Sequence, residues 1–520
     1  MVHSLAQGLA DAARAAELGA ELIEFRLDQF TAKPSYLTEL VQRAPLPCII
    51  TCRLTSEGGS YDGDDQSRIA LLQQATAGPR KPAYIDVELA TYQRSEAFRQ
   101  QIDQLVDHPG QVGSVDTGLI LSTHDFKGRP VDVYQRVEAM VAASACRVMK
   151  VVWQARSLRD PLEMFEIVRS NHKPTIGLCM GEHGLPSRVL TKKFGALLTF
   201  ASLNQQGATA PGQPTIEQLK LLYRWDRMNA QTRVFGVIGH PVGHSLGPYI
   251  HNAGFEAIGF DGVYLPMPIP PEYEHFKATV DAWLQMPDLH FQGASVTLPH
   301  KQNLVRFVRE QGGQIEALAD RIGSANTLTR RADGSLYASN TDYAAALDAI
   351  CDVMDMGREQ LKDQRVAVLG AGGVARAIVA GLASYGATVV IYNRTLERAE
   401  QLASAFNSLD AKVVPARLEK LCDSCCSVLI NCTPLGMSPG VDQSPLPSAG
   451  MSNWGAGTVV FDTIYNPDDT RLLREARAAG CMTIPGKEMF LRQAAAQFKL
   501  WTNTKAPIEV FRRVLNQHLT

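Results

Sequence analysis

The stretch Val366-Ala367-Val368-Leu369-Gly370-Ala371-Gly372-Gly373-Val374-Ala375-Arg376, followed by Val389-Val390-Ile391-Tyr392-Asn393-Arg394-Thr395, decides the fold of the chain's second half. An apolar run breaks at a glycine cluster and continues as a helical pattern from Ala377 to Tyr385. A second apolar run then ends in a basic residue. This is the βαβ grammar of a dinucleotide site, in which glycines let the backbone and a helix N-terminus approach a pyrophosphate. A lone glycine fingerprint is weak, but here the strand, helix and second strand surround it. An Asp or Glu ending the second strand would bind the ribose 2′-hydroxyl of NAD. The chain offers Asn393, Arg394 and Thr395, with Arg398 following. An amide, guanidinium groups and a hydroxyl suit a 2′-phosphate, which a carboxylate would repel. The cofactor expected is NADP.

Upstream of this unit, Arg233 to about Asn340 carries a smaller βα pattern, opening at Arg233-Val234-Phe235-Gly236-Val237-Ile238-Gly239. Final helices from Met489 to Leu519 are expected to return onto it. From Glu21 to Leu203, strands alternate with amphipathic stretches such as Asp11–Leu18 and Val133–Ala143. The expected strands are Leu22–Phe25, Cys48–Cys52, Tyr84–Val87, Gly118–Leu121, Val148–Val152, Thr175–Leu178 and Leu197–Phe200. About 200 residues of such repetition, with polar residues just past strand ends, predict a (β/α)8 barrel. Seven strands are found and the first is not, the chain opening almost directly in a helix: either that strand is missing from the sequence as given or the barrel closes unusually. The whole is α/β. The expected domains are a barrel over 1–223, a substrate domain over 233–340 and 487–520, and a Rossmann domain over 341–486.

With 520 residues, 45% hydrophobic, the chain is too long for one ordinary core. A net charge of -2 and the lack of a basic stripe argue against a nucleic-acid partner. No apolar run reaches the ~18 residues of a membrane span, and no signal or transit pattern opens the chain, so a cytoplasmic protein is expected. The ten cysteines read as reduced thiols. Cys422, Cys425 and Cys426 cluster without a second pair at zinc-finger spacing, and His240, His244 and His251 lack companion ligands, so no metal is expected.

In the first half, Lys150 lies in the apolar strand Arg147-Val148-Met149-Lys150-Val151-Val152-Trp153. Loss of hydration inside a barrel disfavours an ammonium and frees an amine to attack a carbonyl. His124, Glu24, Arg26, Arg53, Glu57, Arg188 and Gln213 follow or flank strand ends, where barrel enzymes place catalysis. Each alone is more often structural. Together they set an amine, an imidazole and three guanidinium groups on one rim, suited to an anionic keto substrate.

This half resembles type I 3-dehydroquinate dehydratase. The matching residues are Glu24-Phe25-Arg26-Leu27-Asp28, Arg53 through Glu57-Gly58-Gly59, Ser122-Thr123-His124-Asp125-Phe126, Lys150, Ser187-Arg188 and Ala208-Thr209-Ala210-Pro211-Gly212-Gln213. The resemblance implies that Lys150 forms the Schiff base, that His124 is the general acid/base, and that Glu57 orients it. It also implies that Glu24, Arg26, Arg53, Arg188, Thr209 and Gln213 bind substrate. Thr209 stands where a serine is usual.

The smaller domain carries Ser245-Leu246-Gly247-Pro248, then Ser295-Val296-Thr297-Leu298-Pro299-His300-Lys301. Ser324-Ala325-Asn326-Thr327 and Ser339-Asn340-Thr341-Asp342 follow. Hydroxyls, an amide, a lysine and a carboxylate are what a polyhydroxylated ring beside a nicotinamide requires, and Lys301 next to Asp342 would relay a proton. From Val234 to about Val514 the chain looks like shikimate dehydrogenase. The match includes Asn431-Cys432-Thr433-Pro434-Leu435-Gly436-Met437 and Asp462-Thr463-Ile464-Tyr465. The resemblance implies Lys301 and Asp342 as catalytic residues. Ser245, Gly247, Thr297, Asn326, Tyr465 and Gln493 would line the substrate. Gly370, Ala371, Gly372, Gly373, Val374, Asn393, Arg394, Thr395 and Arg398 would hold NADP, with Thr463 and Gly486 near the nicotinamide. The family's Ser-X-Ser pair reads Ser245-Leu246-Gly247 here. One lost hydroxyl weakens shikimate binding by ~1 kcal/mol and makes room for quinate, although the retained Thr297 argues for shikimate.

The whole chain therefore resembles the fused dehydroquinate dehydratase–shikimate dehydrogenases of plants. The implied function is dehydration of 3-dehydroquinate followed by NADPH-dependent reduction of 3-dehydroshikimate, on small-molecule substrates with no membrane partner. Two alternatives remain: a quinate-directed dehydrogenase, and a ligand-sensing regulator built from inactive copies. Such a regulator should lack Lys150, His124, Lys301 or Asp342, and this chain keeps all four.

Overall fold

The computed structural model describes residues 1–520 except 31–32, 110–113, 171, 205–211, 408–410, 424–425, 447–453 and 520. Thr209 and Cys425 lie outside the described residues. The chain divides into two compact units, one of residues 1–232 with 279–290 and the other of 233–278 with 291–520.

In the first unit, strand alternation sorts the residues of β1 (Ile23–Arg26), β2 (Cys48–Thr51), β3 (Tyr84–Glu88), β4 (Gly118–Asp125), β5 (Cys146–Gln154) and β6 (Thr175–Met180) between two faces. All pair in parallel, in chain order. Ile85, Val87, Leu119, Leu121, Met149, Val151 and Trp153 join the core beneath the helices. Ile49, Ile120, Val148, Val152, Ile176 and Leu178 form a second, inner cluster. Lys150 shares the inner face with Val148 and Val152, and Ser122 stands opposite it on β4.

The expected strand Leu197–Phe200 does not form. Leu197 N–H donates to the Thr175 carbonyl, but Thr199 turns its hydroxyl to the Arg188 carbonyl, and no ladder follows. An edge segment with no neighbour beyond it has half the backbone bonds of an interior strand. The segment Ile216–Tyr223 winds partly as a π-turn over Gln218–Leu222.

The second unit contains two sheets. One runs β10-β12-β11-β9-β7-β8, from β7 (Arg233–Gly239), β8 (Gly262–Pro268), β9 (Phe291–Val296), β10 (Gln314–Ile315), β11 (Thr327–Arg330) and β12 (Leu336–Ser339). The helices Gly486–Thr502 and Ile508–His518 pack on it, with Phe498, Trp501 and Phe511 joining Phe235, Phe255 and Tyr264 in one core. The other sheet is fully parallel, in the order β15-β14-β13-β16-β17-β18. Its strands are β13 (Arg365–Leu369), β14 (Thr388–Asn393), β15 (Val413–Arg417), β16 (Val428–Asn431), β17 (Val459–Asp462) and β18 (Met482–Ile484). The order reverses between β13 and β16, which makes that crevice the dinucleotide-binding point of a doubly wound sheet. Among the described residues no helix is long and apolar enough to cross a membrane.

Candidate active sites

In the first unit, β3, β4 and β5 bring a charged cluster to the inner face. Lys150 is buried, and its Nζ donates to Asp86 Oδ2 at 2.8 Å, with Glu24 Oε1 at 3.6 Å. The Phe200 ring lies 4.5 Å from the ammonium. Asp86 is fully buried and also accepts from Arg53 Nη2 and Ser122 Oγ, each at 2.6 Å. Burial alone would raise its carboxyl; Arg53 and Lys150 outweigh that and hold it well below the usual carboxylate range.

Arg53 donates in addition to Ser122 Oγ at 2.7 Å and lies 3.1 Å from Glu88 Oε1. Its guanidinium is spent on this network, which makes Arg53 a brace for Asp86. Arg26 is paired in two-pronged fashion with Asp28, at 3.1 and 2.6 Å. Glu24 accepts from Thr51 Oγ1 at 2.8 Å.

His124 lies near the end of β4. Its Nδ1 is 3.0 Å from Glu57 Oε2, which also accepts the His124 backbone N–H. Donation from Nδ1 to the carboxylate assigns the tautomer that leaves Nε2 free to take a proton. Burial, reinforced by Arg53 and Lys150, holds the imidazole well below its ordinary value. Burial, opposed by Arg53, pushes Glu57 up to about 7. Arg188, in the helix Leu185–Leu190, is 2% exposed with an unbonded Nε. Burial lowers it to about 10, and no carboxylate contributes to its shift. A buried cation without an acid partner is suited to an anionic ligand. Gln213 lines the same mouth as Glu24 and Arg26.

The second unit holds a cavity of about 320 Å³ lined by Ser245, Gly247, Thr297, Lys301, Asn326, Asp342, Val374, Thr463, Tyr465, Gly486 and Gln493. Residues separated by more than 200 positions thus face one volume. Lys301 opens the helix Lys301–Glu310 and its Nζ donates to Asp342 Oδ2 at 2.5 Å. Asp342 sits in the first turn of the helix Thr341–Met354, whose N-cap Asn340 accepts its N–H. Asn326 Nδ2 donates to Asp342 Oδ1 at 2.9 Å and to Thr341 Oγ1 at 3.0 Å, while its Oδ1 accepts from Thr341 N–H. Both amide donors are engaged, so Asn326 fixes the orientation of Asp342.

Next to this cavity, β13 ends at Gly370, whose φ of +104° favours glycine and whose hypothetical Cβ would stand 3.1 Å from the Cys432 carbonyl. Gly372 caps the helix Gly373–Ser384, and a Cβ on Gly372 or Gly373 would meet nothing within 4 Å. That open space before a helix N-terminus fits a pyrophosphate. Arg394 and Arg398 are exposed and, among the described residues, unpaired with any carboxylate. They fit a 2′-phosphate. Asn393 Nδ2 is turned to the Thr395 carbonyl, so it shapes the turn. Gly486 is required by close approach: a Cβ there would stand 2.3 Å from the Ile464 carbonyl.

Comparison with known proteins separates the same two halves. Residues 1–230 match type I 3-dehydroquinase, 237–328 the shikimate dehydrogenase substrate binding domain, 353–434 shikimate/quinate 5-dehydrogenase, and 486–515 the shikimate 5′-dehydrogenase C-terminal domain. The bifunctional 3-dehydroquinate dehydratase/shikimate dehydrogenase of Arabidopsis thaliana, a chloroplastic protein, is 35% identical across 100% of this chain and 83% of its own length. The chain belongs to this bifunctional family.

An NADP(+) shikimate dehydrogenase of Methanocella arvoryzae is 41% identical over 54% of this chain and 97% of its own. A shikimate dehydrogenase solved with NADP+ is 34% identical with a TM-score of 0.50, covering 56% of this chain and 98% of its own. The Listeria monocytogenes shikimate 5-dehydrogenase, solved with shikimate and NAD, is 28% identical at the same TM-score and coverage.

Several residues that complete the bifunctional enzyme's sites had not been singled out from sequence. Asp86 and Glu88 anchor the lysine and Arg53; their signal is two acids alternating within the apolar strand Tyr84-Ile85-Asp86-Val87-Glu88. Tyr264 OH donates to Ser295 Oγ at 2.6 Å, which donates to Gln497 Oε1 at 2.8 Å, and all three line the second cavity. Ser295 opens the Ser295–Lys301 motif, whereas Tyr264 and Gln497 come from distant segments that no local pattern announces. His244 and His251 also line this cavity.

Proposed function

We propose that Lys150 and His124 dehydrate 3-dehydroquinate, and that Lys301 and Asp342 assist reduction of the product, 3-dehydroshikimate. The chain is a bifunctional enzyme of the shikimate pathway, a lyase and an NADP-dependent oxidoreductase. In the first site the Lys150 amine adds to the substrate ketone and expels water, forming an imine. His124 Nε2 then takes the proton α to that imine, and the β-hydroxyl leaves with a returned proton as water. Hydrolysis of the imine releases 3-dehydroshikimate and restores the amine. Arg188 receives the carboxylate, and Glu24, Arg26 and Gln213 meet the hydroxyls, while Arg53 braces Asp86.

In the second site, NADPH supplies the hydride. Lys301 delivers the proton that the ketone oxygen needs, with Asp342 holding its ammonium and accepting a neighbouring hydroxyl. Ser245, Thr297, Tyr465 and Gln493 position the ring. Arg394 and Arg398 select the 2′-phosphate. The reading assigns 1–223 to the dehydratase, 233–340 with 487–520 to substrate binding, and 341–486 to NADP. Eight free cysteines among the described residues fit a reducing compartment such as the cytoplasm.

One observation carries the first assignment: a buried lysine on a barrel's inner face, facing a Glu57–His124 pair. Borohydride reduction in the presence of 3-dehydroquinate tests it. Mass spectrometry should find the adduct on Lys150, and an adduct elsewhere, or none, refutes the lysine's role. A second reading, quinate as an additional substrate, is favoured by Gly247. A Cβ there would lie 3.2 Å from Tyr264 Cε1 and 3.3 Å from its OH, so a serine would crowd Tyr264 at the substrate ring where the glycine does not.

A further inference from the structure

Buried charges alternate in sign from the helix Asp65–Thr76 to Lys150. Arg68 Nη2 donates to Glu88 Oε2 at 2.5 Å, and Glu88 Oε1 lies 3.1 Å from Arg53 Nη1. Arg53 Nη2 reaches Asp86 at 2.6 Å, and Asp86 in turn accepts from Lys150 Nζ at 2.8 Å. Glu88 also accepts the Leu54 N–H at 3.1 Å. All of these side chains are buried, and Arg68 is completely so.

Arg68 is a costly choice for structure alone. Its Nε and Nη1 bond to nothing, and its charged partner among the described residues is Glu88. The guanidinium carbon lies 5.8 Å from the centre of the Phe98 ring. Arg68 also acts on the Cys52 thiol, which burial pushes up to about 12 and so leaves uncharged. A buried cation with two idle donors contributes little to stability.

The lysine at the far end gives Arg68 a use. Each carboxylate near Lys150 favours its ammonium, and each cation favours its amine. Arg68 adds one cation, and by holding Glu88 it leaves Arg53 to Asp86. Without Arg68, Glu88 would draw Arg53 away, and Asp86 would turn more of its charge on Lys150. The other charged or titratable groups of the site are Glu24 and Arg26 from β1, Glu57, His124 from β4, and Arg188. None of them pairs with Arg68. Its removal therefore changes the site by one positive charge whatever their state.

We propose that Arg68 is a positioning residue of the dehydratase site, which holds Glu88, commits Arg53 to Asp86 and eases loss of the Lys150 proton to water. The proposal rests on Lys150 as the imine-forming amine.

The test reads that amine directly. Acetic anhydride acetylates amines and spares ammonium groups, so the yield of acetylated Lys150 against pH, followed by mass spectrometry on the full chain, gives a midpoint. Arg68→Met should move the midpoint upward by about one pH unit. It should lower dehydratase kcat/KM at about pH 7 roughly tenfold, in step with the amine fraction. Arg68→Met combined with Glu88→Gln removes one charge of each sign and should bring both quantities back toward native values. Glu88→Gln alone keeps Arg68 and should move the midpoint downward. A purely structural ion pair predicts lower melting temperatures by calorimetry and one midpoint throughout. An unmoved midpoint in folded Arg68→Met, or the same upward move in the double variant, overturns the proposal. If Arg68→Met fails to fold, Glu88→Gln decides, and a midpoint that does not move downward overturns it. A native chain without a borohydride adduct on Lys150 refutes the imine assignment instead, while the labelling midpoints still judge Arg68.

Discussion

Glu57 Oε2 accepts two hydrogen bonds from one residue, the backbone N–H and Nδ1 of His124, each at 3.0 Å. One carboxylate oxygen therefore fixes both the position of the strand end and the tautomer of the ring. The pair is part-buried, and desolvation pushes Glu57 up to about 7 while holding His124 low. Near neutral pH the imidazole is uncharged and able to take a proton, and Glu57 stands near the midpoint of its titration, with its carboxylate form orienting the ring.

This predicts a kinetic limb near pH 7. As pH falls through about 7, Glu57 takes up a proton and stops orienting His124, so dehydratase kcat should fall. Glu57→Gln should flatten that limb and lower kcat at about pH 8 by roughly tenfold to a hundredfold. Stability moves the other way. The folded pKa of Glu57 stands above its ordinary 4.5, so its contribution is fully present below 4.5 and is lost as pH rises through about 7. Melting of the first unit at about pH 8 should thus be less impaired by Glu57→Gln than at about pH 5. A limb unchanged in the variant would exclude Glu57 as its source.

Arg188 predicts a separation of stability from binding. Its guanidinium is buried without an acid partner, so Arg188→Met should leave the melting midpoint of the free protein unchanged or raised. The KM for 3-dehydroquinate should rise by about a hundredfold, the loss of one charge-assisted anion contact. Steady-state kinetics with calorimetry distinguishes this from a structural arginine, whose removal would lower the midpoint.

For the cofactor, Arg394→Ala and Arg398→Ala should each raise the KM for NADPH about tenfold and leave that for NADH unchanged. Equal losses with both cofactors would show that these arginines touch a group the two share.

At the substrate ring, Gly247→Ser should lower quinate turnover relative to shikimate by about tenfold, because the new side chain takes up space beside Tyr264. Adding Tyr264→Phe removes the 3.3 Å hydroxyl neighbour and should restore part of any folding loss. A ratio that does not move would assign substrate choice elsewhere, with Thr297 the next position to vary.

The second half was legible in sequence because its chemistry is local. Gly370 to Gly373 and Asn393 to Arg398 each lie within a few residues, and the strand–helix–strand frame around them is written in hydrophobicity. Lys150 was legible as a lone charge in an apolar strand, and His124 as a polar residue past the apolar run Leu119–Leu121, although the strand itself extends to Asp125. Partnership across strands was not. Arg53 reads as a substrate ligand, and its pairing with Asp86 and Glu88, more than 30 residues away, is written in no local pattern. Asn326 reads likewise, and its bonds to Asp342 and Thr341 are equally invisible in the sequence. The seventh strand, Leu197–Phe200, has an apolar pattern but lacks the neighbour that would make the pattern a ladder, and propensity cannot supply that partner.

The most direct test of two catalytic sites in one chain mixes the purified protein with 3-dehydroquinate and NADPH and follows the reduced-nicotinamide absorbance. Steady oxidation is predicted. Lys150→Ala should abolish it, and added 3-dehydroshikimate should restore it in full. Unchanged oxidation in Lys150→Ala would contradict the lysine's role, and no oxidation by the native chain even with 3-dehydroshikimate would contradict the second site.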